Sequence, residues 1–284
     1  MPNTYTKKTG LLLLGFTLCG YSATIAEPVI QLSTGVDYSS GDYGAAEDTT
    51  IYELPFTARL RAGNWSFRAR VPYVSVEGPG GVVPGGEDDS GGNSGPGSVN
   101  SGSGNNNGGS GGSTTTSSVS ESGLGDISLS ATWSHDFANS TYLDLTGRAS
   151  LPTGDETKDL GTGETDFTLS GEFGRDFDGG GVYAFGGYKQ RGGTLRENGA
   201  LAGLGGYGRV GNGTLIGVDA TWSEASRTGL DDSAEITAYT SFRVSDDVRL
   251  SLYALTGLTD NSPDFGAGLS LSWRTDFRRP TQKR

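Results

Sequence analysis

Residues 50–76 read TIYELPFTARLRAGNWSFRARVPYVSV. In the first half Tyr52, Leu54, Phe56, Ala58 and Leu60 alternate with Glu53, Pro55, Thr57, Arg59 and Arg61. In the second half Trp65, Phe67, Ala69, Val71 and Tyr73 alternate with Ser66, Arg68, Arg70 and Pro72. A period of two puts all the apolar side chains of an extended strand on one face and the polar ones on the other. Only 62–64 lie between the two runs, which is room for a short turn. The stretch therefore predicts two antiparallel strands with one apolar and one polar face.

The same alternation continues downstream. Ile127, Leu129, Ala131 and Trp133 carry it in 124–135, then Leu143, Leu145, Ala149 and Leu151, and Phe167, Leu169 and Phe173. It returns with Ile216, Val218 and Trp222, with Ile236, Ala238 and Phe242, with Leu250 and Leu252, and with Phe265, Leu269, Leu271 and Trp273. Weaker strands fit 29–38, 181–190 and 199–210. No segment sustains a helical period. The sum is about twelve strands of roughly ten residues, a length that crosses a hydrocarbon layer at a tilt. Short turns at 62–64, 136–140, 175–180, 211–213 and 245–247 alternate with longer polar connections at 39–49, 77–123, 152–164, 191–199, 224–232 and 257–263. This is the pattern of an all-β, antiparallel, up-and-down transmembrane β-barrel. A water-soluble barrel would turn its apolar face inward. Twelve strands would enclose more space than these small side chains fill.

Composition narrows the function. The 284 residues include 49 Gly, 10 Pro, one Cys, one Met and one His, with 33 acidic against 21 Lys and Arg and a net charge of −12. One Cys excludes a disulfide framework, a Cys-based zinc site and an iron–sulfur site. The acidic balance argues against nucleic acid as a partner. No cofactor is expected. Gly203-x-Gly205-x-x-Gly208 matches a dinucleotide fingerprint in letters, but no helix follows it. Glu87-Asp88-Asp89 and Asp231-Asp232 read as solvated loop acids rather than calcium ligands. The single His135, beside Asp136 at a short turn, sits at the wrong end for a barrel hydrolase, so no enzyme is expected.

The first 26 residues form a signal peptide. Lys7 and Lys8 precede the apolar Leu11–Leu14, Phe16 and Leu18, and Thr24-Ile25-Ala26 offers a cleavage site. Cys19 lies inside it, and Leu18 before it argues against a lipoprotein. Residues 27–284 are then the barrel, placed in the outer membrane among its lipids. Residues 78–123 are nearly all Gly, Ser, Asn, Thr and Pro, too polar to order themselves. We expect a disordered extracellular loop there, because matching strand patterns flank it.

Aromatic positions support the topology. Trp65, Trp133, Phe173, Phe242 and Trp273 fall near the short-turn rim, and Tyr52, Tyr73, Trp222 and Phe265 near the long-loop rim, as two girdles. In the last strand Asp264-x-Gly266-x-x-Leu269-x-Leu271 is similar to the signal read by barrel assembly machinery, an expected partner during biogenesis. The chain departs from that signal by continuing seven residues past Phe277.

Three segments carry a family resemblance. They are Arg70-Val-Pro-Tyr73-Val, Gly123-Leu-Gly-Asp126-Ile, and Leu151-Pro-Thr-Gly-Asp155 with Leu160-Gly-Thr-Gly163. Together they resemble the outer-membrane transporter family named for the MetA pathway of phenol degradation, over about 29–275. The resemblance implies a barrel that moves hydrophobic or aromatic compounds. It implies no defined functional residues.

Function is expected on the polar, inward face. Arg59, Arg61, Arg68 and Arg70 form a basic stripe on neighbouring strands. Asp126, Asp144, Asp166 and Glu172 follow, with Arg148 between them, then Asp219 and Glu235. If Lys189, Arg209, Arg243 and Arg249 face inward, so do Tyr183, Phe185, Tyr207, Tyr239 and Tyr253. These rings either bind ring-bearing solutes or fill space beside Gly186, Gly187, Gly205 and Gly206. Charged stripes sort small solutes in a pore, so the expected function is a channel for passive uptake of small organic solutes, aromatic or anionic ones among them. The alternatives are an interior plugged by ion pairs, and a structural or surface-binding barrel that works through its loops.

Overall fold

A computed structural model of the chain describes residues 28–84, 104–105, 119–211 and 213–276. The expected signal peptide with Cys19, the Glu87-Asp88-Asp89 cluster, most of the 78–123 stretch and the tail from Phe277 lie outside the described residues.

The chain forms a closed barrel of twelve antiparallel strands. They are β1 (Val29–Gly41), β2 (Thr49–Ala62), β3 (Trp65–Gly78), β4 in two pieces (Val119–Leu124 and Ile127–Asp136), β5 (Thr141–Leu151) and β6 (Asp166–Phe177). The second half is β7 (Gly180–Gln190), β8 (Gly199–Val210), β9 (Thr214–Ser223), β10 (Ser233–Arg243), β11 (Val248–Gly257) and β12 (Phe265–Asp276). Each strand pairs with the next, and β12 pairs with β1 from Val29↔Asp276 to Ser40↔Phe265. Closure leaves no unpaired sheet edge. Short turns join the strands at one end and longer loops at the other.

β1, β7 and β8 are as regular as the rest, although their sequence signal is weak. Glycine dilutes the apolar alternation there without disturbing the pairing. β4 differs from expectation in two ways. It begins at Val119, so 119–123 belong to the wall and pair with Val74–Gly78 rather than to the loop. It also holds one extra residue. Arg70 faces Ser128, but Tyr73 faces Leu124, so four steps on β4 answer three on β3. This is a β-bulge, centred on Gly125-Asp126, and the Gly125 N–H donates to the Pro72 carbonyl at 3.0 Å.

The polarity of the wall is inverted relative to a soluble protein. Phe56, Phe67, Leu169, Phe173 and Leu204 are exposed on the outer face, while Glu53, Arg70, Asp144 and Glu172 are buried on the inner one. Trp65, Phe173 and Trp273 are exposed near the short-turn end, and Tyr52, Tyr73 and Phe265 near the other. Around this band Tyr38 packs on Tyr52 and Phe265, with ring centroids 5.2 and 6.4 Å away.

One packing rule accounts for much of the inner wall. Six aromatic side chains each face a glycine directly across the ladder: Tyr142 and Gly174, Tyr183 and Gly205, Phe185 and Gly203, Tyr207 and Gly181, Tyr239 and Gly217, Tyr253 and Gly268. A Cβ on any of these glycines would enter the opposing ring. The missing side chain lets each ring lie against the neighbouring strand instead of projecting across the lumen. Five of the rings therefore pave the wall of β7–β11 as one buried cluster with Leu201, Leu215 and Leu255, and Tyr142 of β5 packs against it.

Candidate functional site: the barrel interior

The barrel interior gathers the charged side chains. Midway along it, tyrosine hydroxyls donate to carboxylates. Tyr142 Oη reaches Glu172 Oε1 at 2.8 Å, Tyr253 Oη reaches Asp37 Oδ1 at 3.0 Å, and Tyr183 Oη reaches Asp219 Oδ2 at 3.3 Å. Tyr207 donates to Asp176 in the same way. Arg70 Nη2 lies 2.8 Å from Glu53 Oε1, with both side chains almost fully buried. Buried polar groups need such partners.

Toward the short-turn end the interior widens into a polar cavity of about 510 Å³. Arg59, Arg61, Arg243, Arg249 and Arg274 line it together with Asp136, Asp144, Asp176, Asp246 and Asp247. Arg249 Nη1 donates to Ser241 Oγ at 3.0 Å. Arg209 stands near this mouth, 5.3 Å above the Tyr207 ring, and donates to the Phe177 carbonyl at 3.2 Å.

The long-loop end is roofed. Tyr43, Val82 and Leu160 come from three loops and pack with Ile51, Val74 and Val76, all within 5 % of full burial. The 152–165 loop holds this roof in place. Asp126, at the bulge, accepts from the Gly154 and Thr162 N–H groups at 2.9 and 2.8 Å and from Thr162 Oγ1 at 3.0 Å. Gly154 and Gly161 let the two arms of the loop touch backbone to backbone. Asp155 caps the turn Glu156–Lys158, accepting from Thr157 Oγ1 at 2.7 Å and Thr157 N at 3.0 Å. Those bonds hold its carboxyl below the usual carboxylate range. The Gly81 N–H donates to Asp159 at 2.9 Å and ties the roof to the segment after β3. The LPTGD and LGTG runs thus have a structural role: they fold a loop inward over the barrel mouth.

Beside the roof lies a group of arginines. Arg196 makes two bonds to Asp166, at 2.8 and 2.6 Å. Arg191 donates to the Glu197 and Glu224 carbonyls at 2.7 and 3.0 Å. Burial, and then the neighbouring Arg196, lower the pKa of Arg227.

Every residue expected on the inner face from the strand alternation lies there, except Asp126. Arg59, Arg61, Arg68 and Arg70 share the inner faces of β2 and β3; Asp144 and Arg148 are on β5, Asp166 and Glu172 on β6. Tyr183 and Phe185 belong to β7, Tyr207 and Arg209 to β8, Asp219 to β9. Glu235, Tyr239 and Arg243 belong to β10, Arg249 and Tyr253 to β11. Asp126 leaves the strand because the bulge turns its carboxylate into the roof loop. Of the glycines expected beside the rings, Gly205 is so placed, whereas Gly186 and Gly206 are on the outer face. Asp37, Glu53, Tyr142, Asp176 and Arg274 complete the interior and were not singled out from the sequence. Glu53, Tyr142 and Asp176 sit at the same parity as a residue that was, so the period of two is the signal that finds them; Asp37 and Arg274 lie on β1 and β12, where no residue was singled out. His135 is on the outer face, stacked on Trp133 with centroids 5.6 Å apart and edge-on to Phe137 at 4.6 Å.

No protein-family model matches the chain, and no curated protein matches it. Solved structures match its fold. An outer membrane channel from Pseudomonas putida F1 superposes with a TM-score of 0.62 at 14% identity, over 92% of this chain and 100% of that one. The NanC porin gives a TM-score of 0.52 at 8% identity, over 85% and 98%. The KdgM porin gives 0.51 at 6%, over 86% and 98%.

Proposed function

We propose that the protein is an outer-membrane channel for the passive uptake of small organic solutes, anionic and aromatic compounds among them. One observation carries this reading. The closed wall exposes Phe56, Phe67, Leu169 and Phe173 and encloses Glu53, Arg70, Asp144 and Glu172. Only a solvent that is itself apolar makes that arrangement stable. The aromatic girdles and the fold shared with an outer membrane channel and two porins support it. The resemblance of 70–74, 123–127 and 151–163 to the outer-membrane transporter family supports it as well. Lipid is then the partner of the outer face, and assembly machinery the partner of β12 during insertion. No catalysis enters the reading, because the sole His faces away from the interior acids.

Purified protein in a planar bilayer should show discrete conductance steps. A silent barrel overturns the channel reading. The roof over the long-loop end favours a second reading, a surface-binding barrel that acts through its loops. Deleting 85–118 separates the two: a channel keeps conducting, and a loop-binding function is lost.

A further inference from the structure

Ladder register reveals an order among the interior cations. Following directly paired residues around the barrel from β12 to β7 gives Arg274, Gln31, Arg59, Arg68, Ser130, Arg148, Thr168 and Lys189. Five of these eight inner-face residues are cations and none is an acid, in a chain whose net charge is −12. Carboxylates occupy other rows. One row runs Asp176, Gly181, Tyr207, Gly217, Tyr239, Tyr253, Gly268 and Asp37, and it holds no cation.

Strands of such barrels tilt by about 35–45°, so a row of paired residues climbs the axis as it circles the wall. Arg274 lies near the short-turn end of β12, in the open cavity, and Lys189 lies beside the long-loop end of β7. Adjacent strands are about 4.8 Å apart, so successive cations, one or two strands apart, follow at roughly 5–10 Å. Beyond Lys189 the same face of the chain continues to Arg191, next to Arg196 and Arg227 at the roofed end. Exposure falls along the row, from Arg274, which is exposed, to Lys189, which is 7% exposed.

We infer that Arg274, Arg59, Arg68, Arg148 and Lys189 form a spiral rail that binds small organic carboxylates and hands them along the lumen. This rests on the channel reading and deepens it. Guanidinium groups grip a carboxylate through paired charge-assisted bonds. A series of sites within one step of each other lets an anion leave one as it reaches the next, which conduction requires. The solute class is therefore a small organic monocarboxylate.

The test uses the full-length protein in planar bilayers under a potassium chloride gradient, and in proteoliposomes offered benzoate, benzylammonium and benzyl alcohol. The wild type should be anion-selective and pass benzoate faster than benzylammonium. Replacing Arg59, Arg68 and Arg148 with Gln together should lower the chloride-to-potassium permeability ratio several-fold, because three fixed positive charges leave the pore wall. Benzoate should then lose its advantage, with benzyl alcohol unchanged. Should the triple variant fail to insert, Arg59→Gln and Arg274→Gln, both in the open cavity, each slow benzoate, while Arg59→Lys preserves selectivity. A conducting wild type that prefers cations, or Gln variants with unaltered selectivity, overturns the rail and leaves the channel standing. A wild type without conductance or uptake overturns the channel and the rail with it.

Discussion

Tyr183 lies across the backbone of Gly205, its direct partner on the next strand, and its hydroxyl reaches Asp219 one strand further on. A Cβ at Gly205 would stand 2.5 Å from the Tyr183 oxygen and 2.8 Å from the Asp219 Cβ. Gly205→Ala must therefore displace the ring from the wall and stretch its bond. Overpacking of this kind costs about 1–3 kcal/mol. Gly147 is the control, since a Cβ there meets nothing within 4 Å. It sits on the outer face in an apolar dent of about 600 Å³ among Phe67, Leu129, Phe167 and Leu169. Gly147→Ala should change stability by less than about 0.5 kcal/mol. Urea unfolding in lipid vesicles, read by tryptophan fluorescence, should separate the two variants.

The same relationship marks what was legible in the sequence. Alternation puts Tyr183 inward only if Lys189 faces inward, and it leaves Gly205 and Gly206 alike as neighbours of the rings. It does not pair Tyr183 with Gly205. Pairing depends on register, which the closure of the barrel and the turns set. Hence the inner face was readable residue by residue on β2, β3 and β5, while the row from Arg274 to Lys189 was not. Asp126 shows the other limit. The alternation around Ile127 extends smoothly back to it, and nothing local signals that one extra residue buckles the strand there. The roof was equally hidden, since Tyr43, Val82 and Leu160 come from three loops and meet only in space.

The Arg70–Glu53 pair gives a second test. Both side chains are withdrawn from water, at 6% and 2% exposure, and lie 2.8 Å apart. Removing one partner of a buried pair costs about 3–5 kcal/mol. Glu53→Leu and Arg70→Met should each destabilise the barrel by that order in the same urea titration. The double variant should recover part of the loss, because both members of the pair are gone while the buried Asp37 beside them remains. Equal destabilisation by all three would mean that the pair contributes through packing alone.

The roof should respond to Asp126 and Leu160. Asp126 accepts three bonds from Gly154 and Thr162, and Asn keeps the size while losing the charge and one acceptor. Bonds to a charged acceptor contribute about 1.5–3 kcal/mol each. Asp126→Asn should therefore speed amide exchange across 153–163 while exchange in the β7–β10 ladders stays slow. Leu160→Ala removes the apolar centre of the roof, a loss of about 2–5 kcal/mol for a buried leucine. Both variants should conduct more than the wild type if the roof restricts the pore. Unaltered conductance would show that solutes bypass the roof.

Acid should loosen the same loop from its other side. The Asp155 carboxylate is held below its usual pKa by two bonds from Thr157. A group with a depressed folded pKa adds stability that is complete above its unfolded value, about 3.9, and is lost as pH falls through the folded one. The turn Glu156–Lys158 should therefore hold at neutral pH and open only below about pH 4. Corrected for the intrinsic pH dependence of exchange, protection of the Thr157 and Leu160 amides should drop over that window. In Asp155→Asn the drop should vanish and protection should start lower, since a neutral cap binds the Thr157 donors less strongly. A drop that persists in the variant would overturn the assignment to Asp155.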